Sequence, residues 1–121
     1  MTARLVVPFL PPRELSPNAR AHWRTRWKAN RMMREASFML ARAQQVPTFT
    51  KARIQITYVV KQRRLRDGDN GLAMAKGLID GLVDAHVFKD DNVEHVSYAP
   101  VAFIVDRERA PMTIVEVEES P

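Results

Sequence analysis

Between His22 and Gln45 the chain runs without a proline or a glycine, and this stretch constrains the fold more than any other. Proline removes a backbone donor and glycine weakens a helix through entropy, so a long span lacking both favours a helix. Trp23, Trp27, Ala29, Met33, Ala36, Leu40 and Ala43 recur within it near helical spacing. Arg24, Arg26, Lys28, Arg31, Arg34 and Arg42 are interleaved. The pattern predicts a basic amphipathic helix with an irregular first turn. Pro11, Pro12, Pro17 and Asn18 make residues 10–20 a loop before it, and Pro47 ends it.

Around this helix the periodicity changes. Ala3 to Phe9 reads as a short apolar strand. Ile54, Ile56, Tyr58 and Val60 alternate with Arg53, Gln55, Thr57 and Val59, the period of a half-buried strand. Asp69 or Asn70 can cap a second helix that runs to about Ala85, with Leu72, Ala75, Ile79 and Leu82 as its buried stripe. Lys76, Asp80 and Asp84 share another stripe of that helix. Val93 to about Ala99 reads as a strand, with Pro100 at a bend or an edge. Thr113 to Glu118 makes a last strand, with Val115 and Val117 on one face. Strands and helices mix without a strict βαβ repeat. The expected fold is α+β: a single domain over residues 1–121, with a small mixed sheet packed by two main helices.

Composition narrows the function. The chain has no cysteine, which excludes disulfides and thiolate metal sites. No run of eighteen apolar residues and no secretory signal pattern is present, so a cytoplasmic protein is expected, in a bacterium or a phage-infected host. The net charge of +5 conceals an asymmetry: residues 1–66 carry 15 Lys and Arg against Glu14 and Glu35, whereas residues 67–121 carry 4 against 12 acids. A basic half of this kind suits a polyanion. Arg20, Arg24, Arg26, Lys28, Arg31, Lys61, Arg63, Arg64 and Arg66 are the expected contacts to such a polyanion. Trp23 and Trp27, four residues apart, read as core or subunit interface in preference to base-stacking residues.

The acidic half holds the candidate chemistry. Asp67 and Asp69, two apart in an extended segment, would point the same way. Asp90 and Asp91 arrive after the second helix. Clustered carboxylates repel and call for a cation, and hard oxygen ligands suit Mg²⁺ or Mn²⁺. Asp-Gly-Asp-Asn-Gly is also good turn sequence, and Lys76 with Asp80 is by default an exposed helical ion pair. A calcium loop of the EF-hand kind is excluded, because Leu72 and Leu78 stand where it requires Gly and Glu. His22, His86 and His95 are too scattered to suggest zinc.

Taken together, Asp67-x-Asp69-Asn70, then Lys76-x-x-x-Asp80-Gly81-Leu82, then Asp90-Asp91, resemble the signature of RusA-type Holliday junction resolvases. Leu15-Ser16-Pro17-Asn18-Ala19-Arg20 and His22-Trp23 resemble the opening segment of bacterial and phage members. The resemblance implies a small homodimer that nicks four-way DNA junctions in pairs with a divalent metal, Mg²⁺ or its substitute Mn²⁺. It assigns the metal to Asp67, Asp69 and Asp91, with Asp90 as a neighbour. It assigns Lys76 to the charge on the phosphate or the proton of the leaving oxygen. Gly71-Leu72-Ala73-Met74-Ala75 separates Lys76 from the acidic motif, a spacing about three residues longer than in the best-known members, which shifts the lysine by about 4.5 Å along a helix. Two other readings stay open: a branched-DNA-binding protein without cleavage, and a less selective flap or fork nuclease.

Overall fold

The computed structural model describes residues 1–62 and 68–121, with 68–70 as backbone only. Strand β1 (Thr2–Val7) is followed by a 3-10 turn (Arg13–Leu15) and helix α1 (Trp23–Ala43). Strand β2 (Ala52–Val60) leads to helices α2 (Gly68–Ala73) and α3 (Lys76–Asp84). Strands β3 (Val96–Tyr98), β4 (Ala102–Val105) and β5 (Met112–Glu119) complete the described elements. The result is an α+β domain with a mixed sheet and two main helices, α1 and α3. Leu5, Ile54, Ile56 and Val115 from the sheet join Met33, Leu78 and Leu82 from the helices in one core.

β2 is the centre of the sheet. One edge pairs with β5, antiparallel from Ala52 to Val59. The other edge pairs in parallel, first with β3 over Ala52–Ile54 and then with β4 over Thr57–Val60. β1 pairs antiparallel with the far side of β5. A parallel neighbour needs a long crossover, and α2, α3 and the loop after them supply it. β2 is buried on both faces from Ile56 to Val60, so its strict alternation holds only in its first half.

The strand expected from Val93 begins instead at Val96. The Asn92 side chain accepts from the Glu94 amide at 3.0 Å and closes a turn that leaves Val93 exposed. β4 was not expected. It continues the path of β3 beyond Pro100, whose missing N–H interrupts the ladder. The Gln55 amide spans the gap, donating to the Pro100 carbonyl at 2.7 Å and the Ile56 carbonyl at 3.0 Å.

His22 caps α1, its Nδ1 accepting from the Arg24 amide at 3.1 Å. Both main helices end in a reversed turn with a residue in the left-handed region. Gln45 (φ 54°) and His86 (φ 61°) occupy it. The amides of Val46 and Val87 close back on the carbonyls of Ala41 and Leu82, each at 3.0 Å.

Two sequence expectations are corrected here. The buried face of α1 carries Met33, Ser37 and Ala41, while Trp23 and Trp27 are 65% and 54% exposed and form no part of the core. The reason lies in α3. A Cβ on Gly77 would meet the Asn30 carbonyl oxygen at 2.6 Å, and one on Gly81 would meet the Arg34 carbonyl oxygen at 2.3 Å. The helices therefore touch backbone to backbone along small residues, and there is no room for indole rings.

The second expected helix is also two helices. The Ala75 amide bonds to the Leu72 carbonyl in a tight turn at 3.0 Å, and α3 starts afresh at Lys76. α2 is held at the sheet, where the buried Tyr58 hydroxyl donates to the Gly71 carbonyl at 2.5 Å. α3 is held on α1 through Gly77 and Gly81. One straight helix does not meet both anchors. Asp69 and Asn70 consequently lie inside α2 and do not cap it, and Asp69 is helical where an extended segment was expected.

Candidate active site

The start of α3 places Lys76 beside the α2–α3 break, and one turn later α3 presents Asp80. The chain after α3 returns to the same place because Val87 and Phe88 are wholly buried. The Phe49 amide bonds to the Val87 carbonyl at 2.7 Å, and Thr48 Oγ1 donates to the His86 carbonyl at 2.6 Å. This plug fixes the following loop, which carries Asp90 and Asp91.

Asp90 and Asp91 then part. Asp90 turns into its own loop, accepting from the Asp91 amide at 2.7 Å and from Asn92 Nδ2 at 3.3 Å. Asp91 reaches across to the Lys76 ammonium, which also lies 3.1 Å from Asp80 Oδ1. The two carboxylates thus converge on one cation. Asp91 is held below the usual carboxylate range, chiefly by its hydrogen bond from Lys76 and despite partial desolvation. Lys76 is pushed up, chiefly by the same hydrogen bond, against an opposing desolvation effect and with further help from Asp80.

Leu72, Ala73, Ile79 and Tyr98 complete a shallow cavity of about 640 Å³ around Lys76 and Asp91. Tyr98 is half-buried at the end of β3, and burial, followed by the charge of Asp91, raises its phenol pKa. Sequence reasoning missed this residue. An isolated tyrosine in a strand carries no motif, and only the parallel pairing of β3 with β2 brings it to the cavity.

Asp69 lies on α2, the helix just before Lys76, while Asp67 lies outside the described residues. Among the described residues no group of three acidic or histidine side chains is placed to hold a metal ion. The donor set that is described consists of hard carboxylate oxygens already gathered around a positive charge. Carboxylate oxygens are the ligand type that hard cations such as Mg²⁺ or Mn²⁺ take.

The expected DNA contacts separate into groups. Arg20, Arg24 and Lys28 are exposed at and before the start of α1, and Lys61 is exposed at the end of β2. Arg31 is exposed but paired with Glu35 at 2.9 Å. Arg26 turns inward: its Nη2 donates to the Ala19 carbonyl at 2.5 Å and the Ser16 carbonyl at 3.2 Å, tying the preceding loop to α1. Arg63, Arg64 and Arg66 lie outside the described residues.

No family model matches the chain. A protein of Xylella fastidiosa strain Temecula1, described as an uncharacterized protein, is 33% identical over 106 residues, which cover 75% of this chain and 69% of the relative. The chain belongs to that protein's family. The relative's description attaches no activity to the family, so the functional reading rests on the residues themselves. Among the described residues no helix is long and apolar enough to cross a membrane.

Proposed function

We propose that this family member is a metal-dependent endonuclease that cuts four-way and related branched DNA, as its resemblance to RusA-type resolvases implies. The observation that carries the reading is the convergence of Asp80 and Asp91 on Lys76 beside the helix that bears Asp69. Asp67, Asp69 and Asp91 would hold Mg²⁺, or Mn²⁺ in its place. When bound, the ion supplies an activated water and neutralises charge on the phosphate. Asp91, kept ionised by Lys76, is ready as an oxygen ligand at neutral pH.

Lys76 has a narrower role than the resemblance allows. A lysine held more firmly in its protonated form is a weak acid but a constant positive charge. It serves the negative charge that builds on the phosphate in the transition state, and not the proton of the leaving oxygen. Asp90, bound into its own loop, shapes the approach of Asp91. Exposed Arg20, Arg24, Lys28 and Lys61 offer phosphate contacts whose strength falls with salt. Paired nicks across a junction suit a two-fold homodimer with one site per strand.

The test is cleavage of a labelled four-way junction in Mg²⁺, beside Asp69→Asn and matched forked and linear DNA. Paired nicks by the wild type alone, at the junction, are the expected result. Equal cutting of forks would shift the reading to a flap or fork nuclease. The ion pair also suits a second reading, a branched-DNA-binding protein, because Lys76 by itself already offsets part of the charge of the acidic pair. Tight junction binding without nicking in either metal would establish that second reading and remove the first.

A further inference from the structure

Among the described residues, two exposed aromatic side chains lie outside the acidic cluster. Trp23 and Trp27 are the chain's two tryptophans, and both stand on α1 with more than half of their surface exposed. Spaced four apart, they share one face of the helix. Each carries a guanidinium: Arg24 lies 5.3 Å from the Trp23 ring centre, and Arg31 lies 5.2 Å from that of Trp27. We propose that this face is a stacking platform for the unpaired bases of single-stranded or branch-point DNA, adjoining the Lys76 cluster.

Three observations select this occupant. The first is charge. Arg20, Arg24 and Lys28 are exposed around the rings, and the first turn of α1 has no acid. Cations stand where the helix dipole is already positive, an arrangement that a phosphate chain relieves. The second is the mixture of residues. Each indole has an arginine beside it, and lysine and arginine stand along the same stretch of α1. Indole and guanidinium planes with phosphate-binding cations around them are what single-stranded nucleic acid uses.

The third is position. A groove of about 490 Å³ runs from Trp27 past Arg31 and Phe38 to Asp80, the partner of Lys76. Its acids do not repel a phosphate chain unopposed. Glu35 is paired with Arg31 and Asp84 with Arg34, while Asp80 shares Lys76 with Asp91. A base stacked on Trp27 would therefore have its strand directed along the groove toward the acidic cluster. Perfect duplex hides its base faces, so the platform selects DNA that is unpaired near the cut. This rests on the reading of the chain as a DNA protein but does not require cleavage.

Both tryptophans lie on the proposed surface, so intrinsic fluorescence reports on it directly. The full chain is titrated in EDTA with a twenty-nucleotide oligo(dT), with duplex of equal length, and with heparin as a polyanion without bases. Saturable quenching by oligo(dT), weaker with duplex and absent with heparin, is expected. Trp27→Ala, whose exposed position leaves the fold intact by circular dichroism, should bind a labelled oligo(dT) about tenfold more weakly in anisotropy. Equal quenching by heparin, or unchanged oligo(dT) affinity in Trp27→Ala, would overturn the platform. So would sedimentation showing a dimer that Trp27→Ala abolishes without loss of oligo(dT) binding, since the face would then be a contact between two copies. Because metal is absent, failure here leaves the nuclease reading standing, and failure of junction cleavage leaves the platform standing.

Discussion

Lys76 and Asp91, fifteen residues apart in sequence, meet side chain to side chain, and the same ammonium lies 3.1 Å from Asp80. One cation holds together the end of a helix turn and the loop that returns beside it. Lys76 is 61% exposed, so this contact is an arrangement of charge more than a source of stability. Lys76→Ala and Asp91→Asn should each change unfolding free energy by less than about 1 kcal/mol in urea. Each should lower junction cleavage by about a hundredfold or more. Loss of cleavage only in step with loss of fold would mean that the pair is structural.

The α1–α3 contact predicts a far larger stability effect. A Cβ on Gly81 would lie 1.9 Å from Ser37 Oγ and 2.3 Å from the Arg34 carbonyl oxygen. The serine can rotate, but the carbonyl belongs to a helix and cannot. Gly81→Ala should cost about 3 kcal/mol or more, read as a drop in the urea midpoint. Ser37→Ala added to it should recover only part, because the Arg34 carbonyl remains and the Ser37 bond to the Leu78 carbonyl at 2.7 Å is lost. An unchanged midpoint in Gly81→Ala would show that the helices do not approach this closely.

Tyr58 anchors α2 to the sheet through one buried bond to the Gly71 carbonyl. Burial also pushes its phenol well above the ordinary tyrosine range, so it remains a donor at any physiological pH. Tyr58→Phe leaves that carbonyl without its donor and should cost about 1–3 kcal/mol. Amide exchange in α2 should speed up more than in α3, which has its own anchors on α1. Uniform exchange across both helices would show that they unfold as one unit.

Acid should weaken the fold at a second ion pair. Arg34 meets Asp84 through two bonds, of 2.6 and 2.9 Å, joining α1 to the end of α3. That hydrogen bonding holds the Asp84 carboxyl below its ordinary value, as Lys76 does for Asp91. For each group the unfolded state binds the proton more readily. Stability from both is therefore present above the ordinary carboxylate pKa of about 4, and is lost as pH falls toward the lower folded values. Asp84→Asn should flatten this acid limb, and added salt should shrink it because the pair faces solvent. An acid limb identical in wild type and Asp84→Asn would assign it to other carboxylates.

Periodicity located the elements whose burial follows from their own residues. The long helix, the alternating strand of Ile54 and Ile56, and the final strand of Val115 and Val117 each carry a face that must leave water. The sequence also brought attention to Asp69, Lys76, Asp80 and Asp91 through their spacing. It could not show which of Asp90 and Asp91 reaches Lys76, because that depends on the loop bonds Asp90 makes to its neighbours.

By itself, then, the sequence determined the α+β class, the order of the main elements and the separation of a basic from an acidic half. Those properties depend on local pattern and on charge count, which are present before the chain folds. Tertiary structure decided the face of α1. Gly77 and Gly81 admit another backbone but no large ring, so the tryptophans went outward although their spacing suited a core. It decided the break at Ala75, where anchors on the sheet and on α1 compete for one helical segment. It also decided β4 and Tyr98, since a short strand takes its place from the partner it pairs with. Such choices depend on contacts between distant residues, and no window of neighbouring residues contains them.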